Sequence, residues 1–306
     1  MRREYIEGTG LQENCSHRTL GEIRSVLEDS RFLEECVKRL SRPSAEIISR
    51  IQTSLSEAAV GLSLLEGIDL TGKRVLEVGA GIGIVSLVLH RQGVKIVPIE
   101  PGRGGFDQNA QIGFLLRERL GIRDLTYFAL GAEELRAVDH GLFDVIFSVN
   151  VLEHIPDLES AVDAMCKVLK PGGVMCHTCP NYLIPYEPHF GVPLVPLAPR
   201  LTALLLPNAR GTELWDSLNF VTLGQMRRAF SRRGFDCEFA RGTMHKAFVR
   251  LDADEKYRER QGSRRIVATA YGFLRRFGLL RLIAGLPPVL ATPMTFEVRR
   301  KNGTAI

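Results

Sequence analysis

Glu77 stands two residues before the first of three glycines spaced Gly79-x-Gly81-x-Gly83, and Glu100 follows 19 residues after Gly81. Glycines at alternate positions let the backbone turn tightly and approach a ligand that a Cβ would exclude. A helix starting behind such a turn offers its first N–H groups unpaired. A Gly-x-Gly turn also opens dinucleotide sites, so the glycines alone do not name a ligand. Two details separate the cases. The third glycine comes one residue earlier than in Gly-x-Gly-x-x-Gly, and Glu77 puts a carboxylate where a pyrophosphate would be repelled. A cationic amino-acid ligand would tolerate it. Glu100, ending a strand, can accept hydrogen bonds from both hydroxyls of a ribose; a solvated acid is the plain alternative.

Further along are residues suited to handling a proton. Asn150-Val-Leu-Glu-His-Ile-Pro156 follows a strand, and its His154 is a candidate base or a pocket-shaping side chain. Tyr186-Glu-Pro-His-Phe190 sets His189 among aromatics and prolines, which suits deprotonation of a hydroxyl; packing the loop is its other reading. Cys176-His-Thr-Cys179 has Cys-x-x-Cys spacing but lacks a second pair, so it reads as strand core rather than a metal site.

The elements that must position these groups follow from hydrophobic rhythm. Leu20, Ile23, Val26 and Leu27, then Phe32, Leu33, Cys36, Val37 and Leu40, recur at helical spacing, and another helical stretch covers about 45–66. Residues 1–70 therefore read as a helical cap. Short apolar runs at 74–78, 95–99, 125–129, 143–148 and 174–178 alternate with helical stretches, the pattern of parallel βαβ units with ligands at the strands' carboxyl edge. The predicted core spans 71–241 and holds a proline-rich segment after Pro180 that reads as a binding loop. A basic helical insertion follows at 242–293, and 294–306 supply a last strand and tail.

Val75-Leu-Glu-Val-Gly-Ala-Gly-Ile-Gly83, Glu100, Gly131-Ala-Glu133, Phe143-Asp-Val-Ile-Phe-Ser-Val-Asn-Val-Leu-Glu-His-Ile155 and Leu169-Lys-Pro-Gly-Gly173 together resemble the class I S-adenosylmethionine-dependent methyltransferases. The resemblance covers about 73–180. It implies a Rossmann-like, seven-stranded, mostly parallel sheet whose last strand, Thr295 to Arg299, runs antiparallel. It implies S-adenosyl-L-methionine as cofactor. Glu77, Gly79, Ala80, Gly81 and Gly83 would face its methionine part, Glu100 its ribose, Ala132 and Glu133 its adenine, and Asn150 the methyl group's surroundings. Some relatives bind a divalent metal beside this last segment; Asn150 stands where that pattern carries Glu, so no metal is expected. The activity expected is methyl transfer to a small molecule or glycan, on oxygen. The alternatives are a non-catalytic relative that binds the cofactor or a partner, and an NAD-dependent oxidoreductase. Nucleic-acid methylation is disfavoured, because Asn150-Val-Leu-Glu replaces the Asn/Asp-Pro-Pro-aromatic signature.

Composition supplies the outer bounds. With 306 residues, 45% of them hydrophobic, the chain can bury a core without disulfides. Six scattered cysteines suit reduced thiols and a cytoplasmic setting. The polar stretch Met1 to Asn14 lacks the apolar run of a signal peptide, so none is expected, and no apolar run reaches membrane-spanning length. The net charge of +5 is uneven: residues 200–306 carry 20 Lys and Arg against 9 Asp and Glu. Within this third, 266–290 reads either as an amphipathic element in peripheral contact with anionic membrane or as a helical lid.

Overall fold

The computed structural model describes residues 9–103, 106–205, 211–253 and 265–301. The chain divides into two compact units, Met1–Val149 with Lys167–Gly173, and Asn150–Cys166 with Val174–Ile306. One six-stranded sheet runs in the order β2-β1-β3-β4-β8-β7, and the division passes through β4. No described helix is long and apolar enough to cross a membrane.

In the first unit, α1 (Thr9–Leu27), α2 (Ser30–Leu40) and α3 (Ser44–Leu65) precede the strands. Asp29 caps α2 by accepting from the N–H groups of Arg31 and Phe32, and Ser41 ends it in a left-handed conformation. Ile47, Ile51, Leu55 and Ala58 form the buried stripe of α3. Gly61 continues the stripe where a Cβ would lie 3.0 Å from Val85 Cγ2, so glycine allows close packing on α4 (Ile84–Arg91). β1 (Arg74–Val78) pairs in parallel with β2 (Lys95–Ile99) on one side and β3 (Phe143–Val149) on the other. Its residues from Val75 on are all buried, as expected of a strand covered on both faces. α5 (Asp107–Leu120) and the short α6 (Ala137–His140) complete this unit's helices.

One expected strand is missing. Residues 125–129 make a single parallel bridge, Phe128 with Ile99, so the sheet has six strands where seven were expected. The Phe128 N–H donates to the Pro98 carbonyl and the Glu100 N–H to the Phe128 carbonyl. The next rung would need an N–H from residue 98 toward Thr126, and proline has none. The ladder stops after one residue.

The second unit contains α7 (Leu158–Val168) up to Cys166 and β4 (Leu169–Cys179) from Val174 onward. α9 (Leu223–Ser231) leads into β7 (Phe235–Phe239), and β8 (Met294–Arg300) lies antiparallel between β4 and β7, in the place expected for the final strand. The proline-rich segment after Pro180 is packed rather than loose. A two-rung ladder joins β5 (Tyr186–Glu187) to β6 (Val192–Pro193). Tyr182, Leu194, Trp215, Leu218 and Phe220 form a separate apolar cluster, with Trp215 supplied by α8 (Glu213–Ser217). Edge-on ring contacts join Tyr182 to Phe220, Trp215 to Phe220, and Phe190 to Trp215. The basic insertion contributes α10 (Thr243–Ala253), α11 (Arg265–Arg276) and α12 (Leu280–Ala284).

Two glycines in helices distinguish packing from propensity. A Cβ on Gly113 of α5 would stand 2.5 Å from the Ile82 carbonyl oxygen, whereas Gly272 of α11 has open space around it. Gly113→Ala should lower the unfolding free energy by about 1–3 kcal/mol. Gly272→Ala should raise it by roughly 0.5–1 kcal/mol. Urea denaturation of the two variants checks both signs.

Candidate active site

The turn after β1 is built on left-handed backbone. Gly79, Gly81 and Gly83 have φ of +68°, +55° and +85°, values that cost a residue bearing a Cβ. The turn is tied to the end of β2: Gly79 and Ala80 both donate their N–H to the Ile99 carbonyl, at 2.9 and 3.0 Å. Gly83 is the N-cap residue of α4 and has no side chain to cap with. Glu77 does so from β1, its Oε2 accepting from the Ser86 N–H at 3.0 Å and from the Ser86 hydroxyl. Burial pushes the Glu77 carboxyl up to about 7, against the pull of the Ser86 hydrogen bonds, and nearby Glu100 adds to the rise. The residue expected to face a ligand thus also organises the helix behind the turn.

Glu100 closes the other side. Its Oε2 accepts from the Gly81 N–H at 2.9 Å and its Oε1 from the Gly102 N–H at 3.0 Å. Burial raises its pKa above the ordinary value while these two donors pull it down. Tyr127 donates its hydroxyl to the Gly81 carbonyl at 2.6 Å, and its ring lies 3.3 Å from where a Cβ of Gly83 would sit. The Arg117 guanidinium covers the Tyr127 ring at 4.7 Å. Sequence reasoning missed Tyr127. The available signal was an aromatic in the stretch that follows Glu100 in the sheet order, obscured by reading 125–129 as an ordinary strand.

Gly131, Ala132 and Glu133 open a short 3-10 turn, Ala132–Glu134, with Ala132 buried. Arg103 bridges Glu133 at 3.1 Å and Glu134 at 2.8 Å, and Glu134 accepts from the Gly131 N–H at 2.7 Å. The first unit therefore brings together Glu77 from β1, the turn residues Gly79, Ala80, Gly81 and Gly83, and Glu100 after β2. It places Ala132 and Glu133 on the segment after Phe128.

Asn150, His154 and His189 belong to the second unit. Asn150 has a left-handed φ of +52° and donates its N–H to the Thr178 carbonyl at 2.8 Å. Asn219 clamps the following turn: its Nδ2 donates to the carbonyls of Leu152 and Ile155, and its N–H to that of Glu153. The Ser217 hydroxyl, which also reaches the Leu214 carbonyl, lies 2.8 Å from His154 Nδ1. Burial, with His189 adding, pushes His154 down to about 3. It is a neutral imidazole.

The structure brings the two candidate histidines together, with ring centroids 5.0 Å apart. His189 Nδ1 lies 2.6 Å from Oε1 of the fully buried Glu187, whose Oε2 accepts from the Tyr182 hydroxyl at 2.7 Å. Burial alone would raise the Glu187 carboxyl, but His189 and Tyr182 together hold it below the usual range. Glu187 fixes the His189 proton on Nδ1 and directs Nε2 away from itself. Glu153, His154 and His189 each offer a ligand atom within 4.8 Å of the others. The expectation of no metal rested on Asn150, and this trio does not include that residue. Cys176, His177 and Cys179 are core residues. All three are buried, and His177 packs against Phe230 and Phe296, driven down to about 3 by burial.

The methyltransferase domain family matches residues 49–238, more than half of the chain. The chain belongs to this family, and its sheet and glycine turn are those of the class I S-adenosylmethionine-dependent fold that the sequence resembles. It is 35% identical over 164 residues to the uncharacterized protein Rv1509 of Mycobacterium tuberculosis, covering 51% of this chain and 55% of that protein. It is 40% identical over 106 residues to the ubiquinone biosynthesis O-methyltransferase of Psychrobacter arcticus, 34% of this chain and 40% of that enzyme. The chain spans about half the length of the curated relatives it matches. Among solved structures, an S-adenosylmethionine-dependent methyltransferase from Mesorhizobium loti shares the fold, with a TM-score of 0.50 and 16% identity over 78% of this chain and 96% of that one.

Glu77 has a consequence for stability. Its folded-state pKa lies near 7, above the ordinary 4.5. Between these values the folded chain keeps a proton that the unfolded chain releases, so stability falls as pH rises through that window. Urea midpoints of the ligand-free protein measured from pH 4.5 to 8 should decline more steeply for the parent than for Glu77→Gln.

Proposed function

We propose that this chain transfers a methyl group from S-adenosyl-L-methionine to a hydroxyl oxygen of a small molecule or glycan, in the cytoplasm. The observation that carries the choice of oxygen is the buried Glu187 carboxylate 2.6 Å from His189 Nδ1. An alcohol or phenol must lose a proton as it is methylated, and a histidine held in one tautomer by a carboxylate is built to take it. The name of the Psychrobacter relative, an O-methyltransferase, agrees with that choice. The free cysteines at Cys36, Cys166, Cys179 and Cys237 agree with a reducing compartment.

The glycine turn fits the cofactor: three left-handed glycines bring backbone close to a ligand, and Glu100 offers a carboxylate at the strand end. Glu100 would hold the ribose hydroxyls, Ala132 and Glu133 the adenine, and Glu77 with Gly79, Ala80, Gly81 and Gly83 the methionine part. When bound, S-adenosylmethionine supplies a methyl group on a sulfonium, a leaving group that needs no protonation. The protein's own work is to align the acceptor, exclude water and remove one proton. That proton passes from the acceptor oxygen to His189 Nε2. Glu187 stabilises the resulting imidazolium, and the Tyr182 hydroxyl keeps Glu187 in place. His154, neutral and pushed down to about 3, is too weak a base for this step at neutral pH. It orients the acceptor, with Asn150 beside it in the chain. The dinucleotide alternative has no support from the family match. The non-catalytic alternative predicts cofactor binding without transfer.

Titration calorimetry with S-adenosylhomocysteine tests the cradle: Glu100→Ala should weaken binding roughly 10- to 100-fold, the loss expected for hydrogen bonds to a charged group. Unchanged affinity would refute the cradle.

Transfer of radiolabelled methyl into fractionated extract should label a glycan or small-molecule pool rather than protein or nucleic acid. With that acceptor, His189→Ala should lower kcat by about 10²–10⁴-fold. Glu187→Gln should lower kcat with little change in KM and move the acidic limb of the pH–rate profile to lower pH. Equal activity of both variants with the parent would remove the base. A chelator arm asks whether Glu153, His154 and His189 hold a cation during turnover.

A further inference from the structure

The insertion between β7 and β8 has two sides of opposite character. On one, Tyr271 of α11 stacks on Phe248 of α10, with ring centroids 6.0 Å apart, and Ile283 of α12 is buried. A left-handed Gly278 turns the chain between α11 and α12, with the Leu279 N–H closing on the Leu274 carbonyl at 2.8 Å. On the other side, Phe273, Phe277 and Leu282 are 56%, 58% and 68% exposed. The two phenylalanine rings lie 4.6 Å apart, an aromatic pair in solvent. Val289 and Leu290 are also exposed. Isolated exposed apolar residues are ordinary, but Phe273 and Phe277 are exposed with their rings against each other, and three more exposed apolar side chains follow within the same 18 residues.

The charge of this segment says what covers it. Between Glu259 and Glu297 the chain has no acidic residue and six arginines. Arg275, Arg276 and Arg281 are exposed and alternate along the chain with the exposed apolar side chains. A water-facing lid that merely needed solubility would carry both signs. A one-signed arginine set around exposed phenylalanines matches a bilayer interface, where rings enter the acyl boundary and guanidinium groups meet lipid phosphates. α11, with 12 residues, is far too short to span.

We propose that the α11–α12 segment is an interfacial element that seats the protein on the surface of an anionic phospholipid bilayer. Phe273, Phe277 and Leu282 enter the headgroup boundary, and Arg276 and Arg281 pair with the lipid phosphates. The full-length chain should sediment with phosphatidylglycerol-containing vesicles, more weakly as salt rises, and not with pure phosphatidylcholine vesicles. Each arginine at such a surface is worth about fivefold in partitioning, so R276Q/R281Q should lose roughly thirtyfold. F273S/F277S should also abolish retention while leaving circular dichroism and S-adenosylhomocysteine binding unchanged. Equal retention by neutral vesicles overturns the proposal. So does absence of retention with the same phenylalanines instead holding a dimer, seen as a drop in solution mass for F273S/F277S. Both outcomes are independent of which acceptor is methylated.

Discussion

The candidate cofactor site depends on a buried carboxylate held by backbone. Glu100 is 6% exposed, and an acid so placed is tolerated only when donors replace the water it has lost. Those donors are the N–H groups of Gly81 and Gly102, one on the turn after β1 and one on the loop after β2. The constraint works in both directions. Glu100 needs Gly81 in its left-handed conformation, and that conformation in turn presents the Gly81 carbonyl to the Tyr127 hydroxyl. Residues with a Cβ at Gly79, Gly81 or Gly83 would strain the turn and move both partners. A ligand with a vicinal diol could offer Glu100 two donors of its own.

The second unit solves a similar problem with side chains. Glu187 is fully buried, and its negative charge is stabilised by the Tyr182 hydroxyl and by His189. Tyr182 is itself a member of the aromatic cluster that holds the proline-rich segment. Packing of Tyr182 against Phe220 therefore transmits to the tautomer of His189. Tyr182, Leu194, Trp215, Leu218 and Phe220 supply a small core to a segment that has little secondary structure. Without it, a histidine on so long a connection would have no set direction.

Much of the fold was legible because parallel strands buried on both faces read as apolar runs, and the helices between them have an apolar stripe. Val75 to Val78, Lys95 to Ile99 and Phe143 to Val149 are found where the runs place them. The run at 125–129 misled, since β propensity says nothing about whether the neighbouring strand can donate. Pro98 cannot, and one bridge is what remains. The glycine spacing, Glu77 and Glu100 were legible as a set because backbone freedom and charge at a strand end are local properties. Tyr127 and Arg103 were not, because nothing local marks a side chain whose partner is a carbonyl or carboxylate dozens of residues away.

By itself the sequence determined the order of strands and helices, the left-handed turn at Gly79–Gly83 and the candidate site residues, since each follows from short-range periodicity or from the conformational freedom of one residue type. Tertiary structure alone decided that Glu77 caps α4, that His154 is a neutral imidazole, and that His189 has the buried Glu187 carboxylate as partner. These depend on burial and on distances between residues far apart in the chain. Desolvation and hydrogen bonding act through space, and the linear order of residues carries neither.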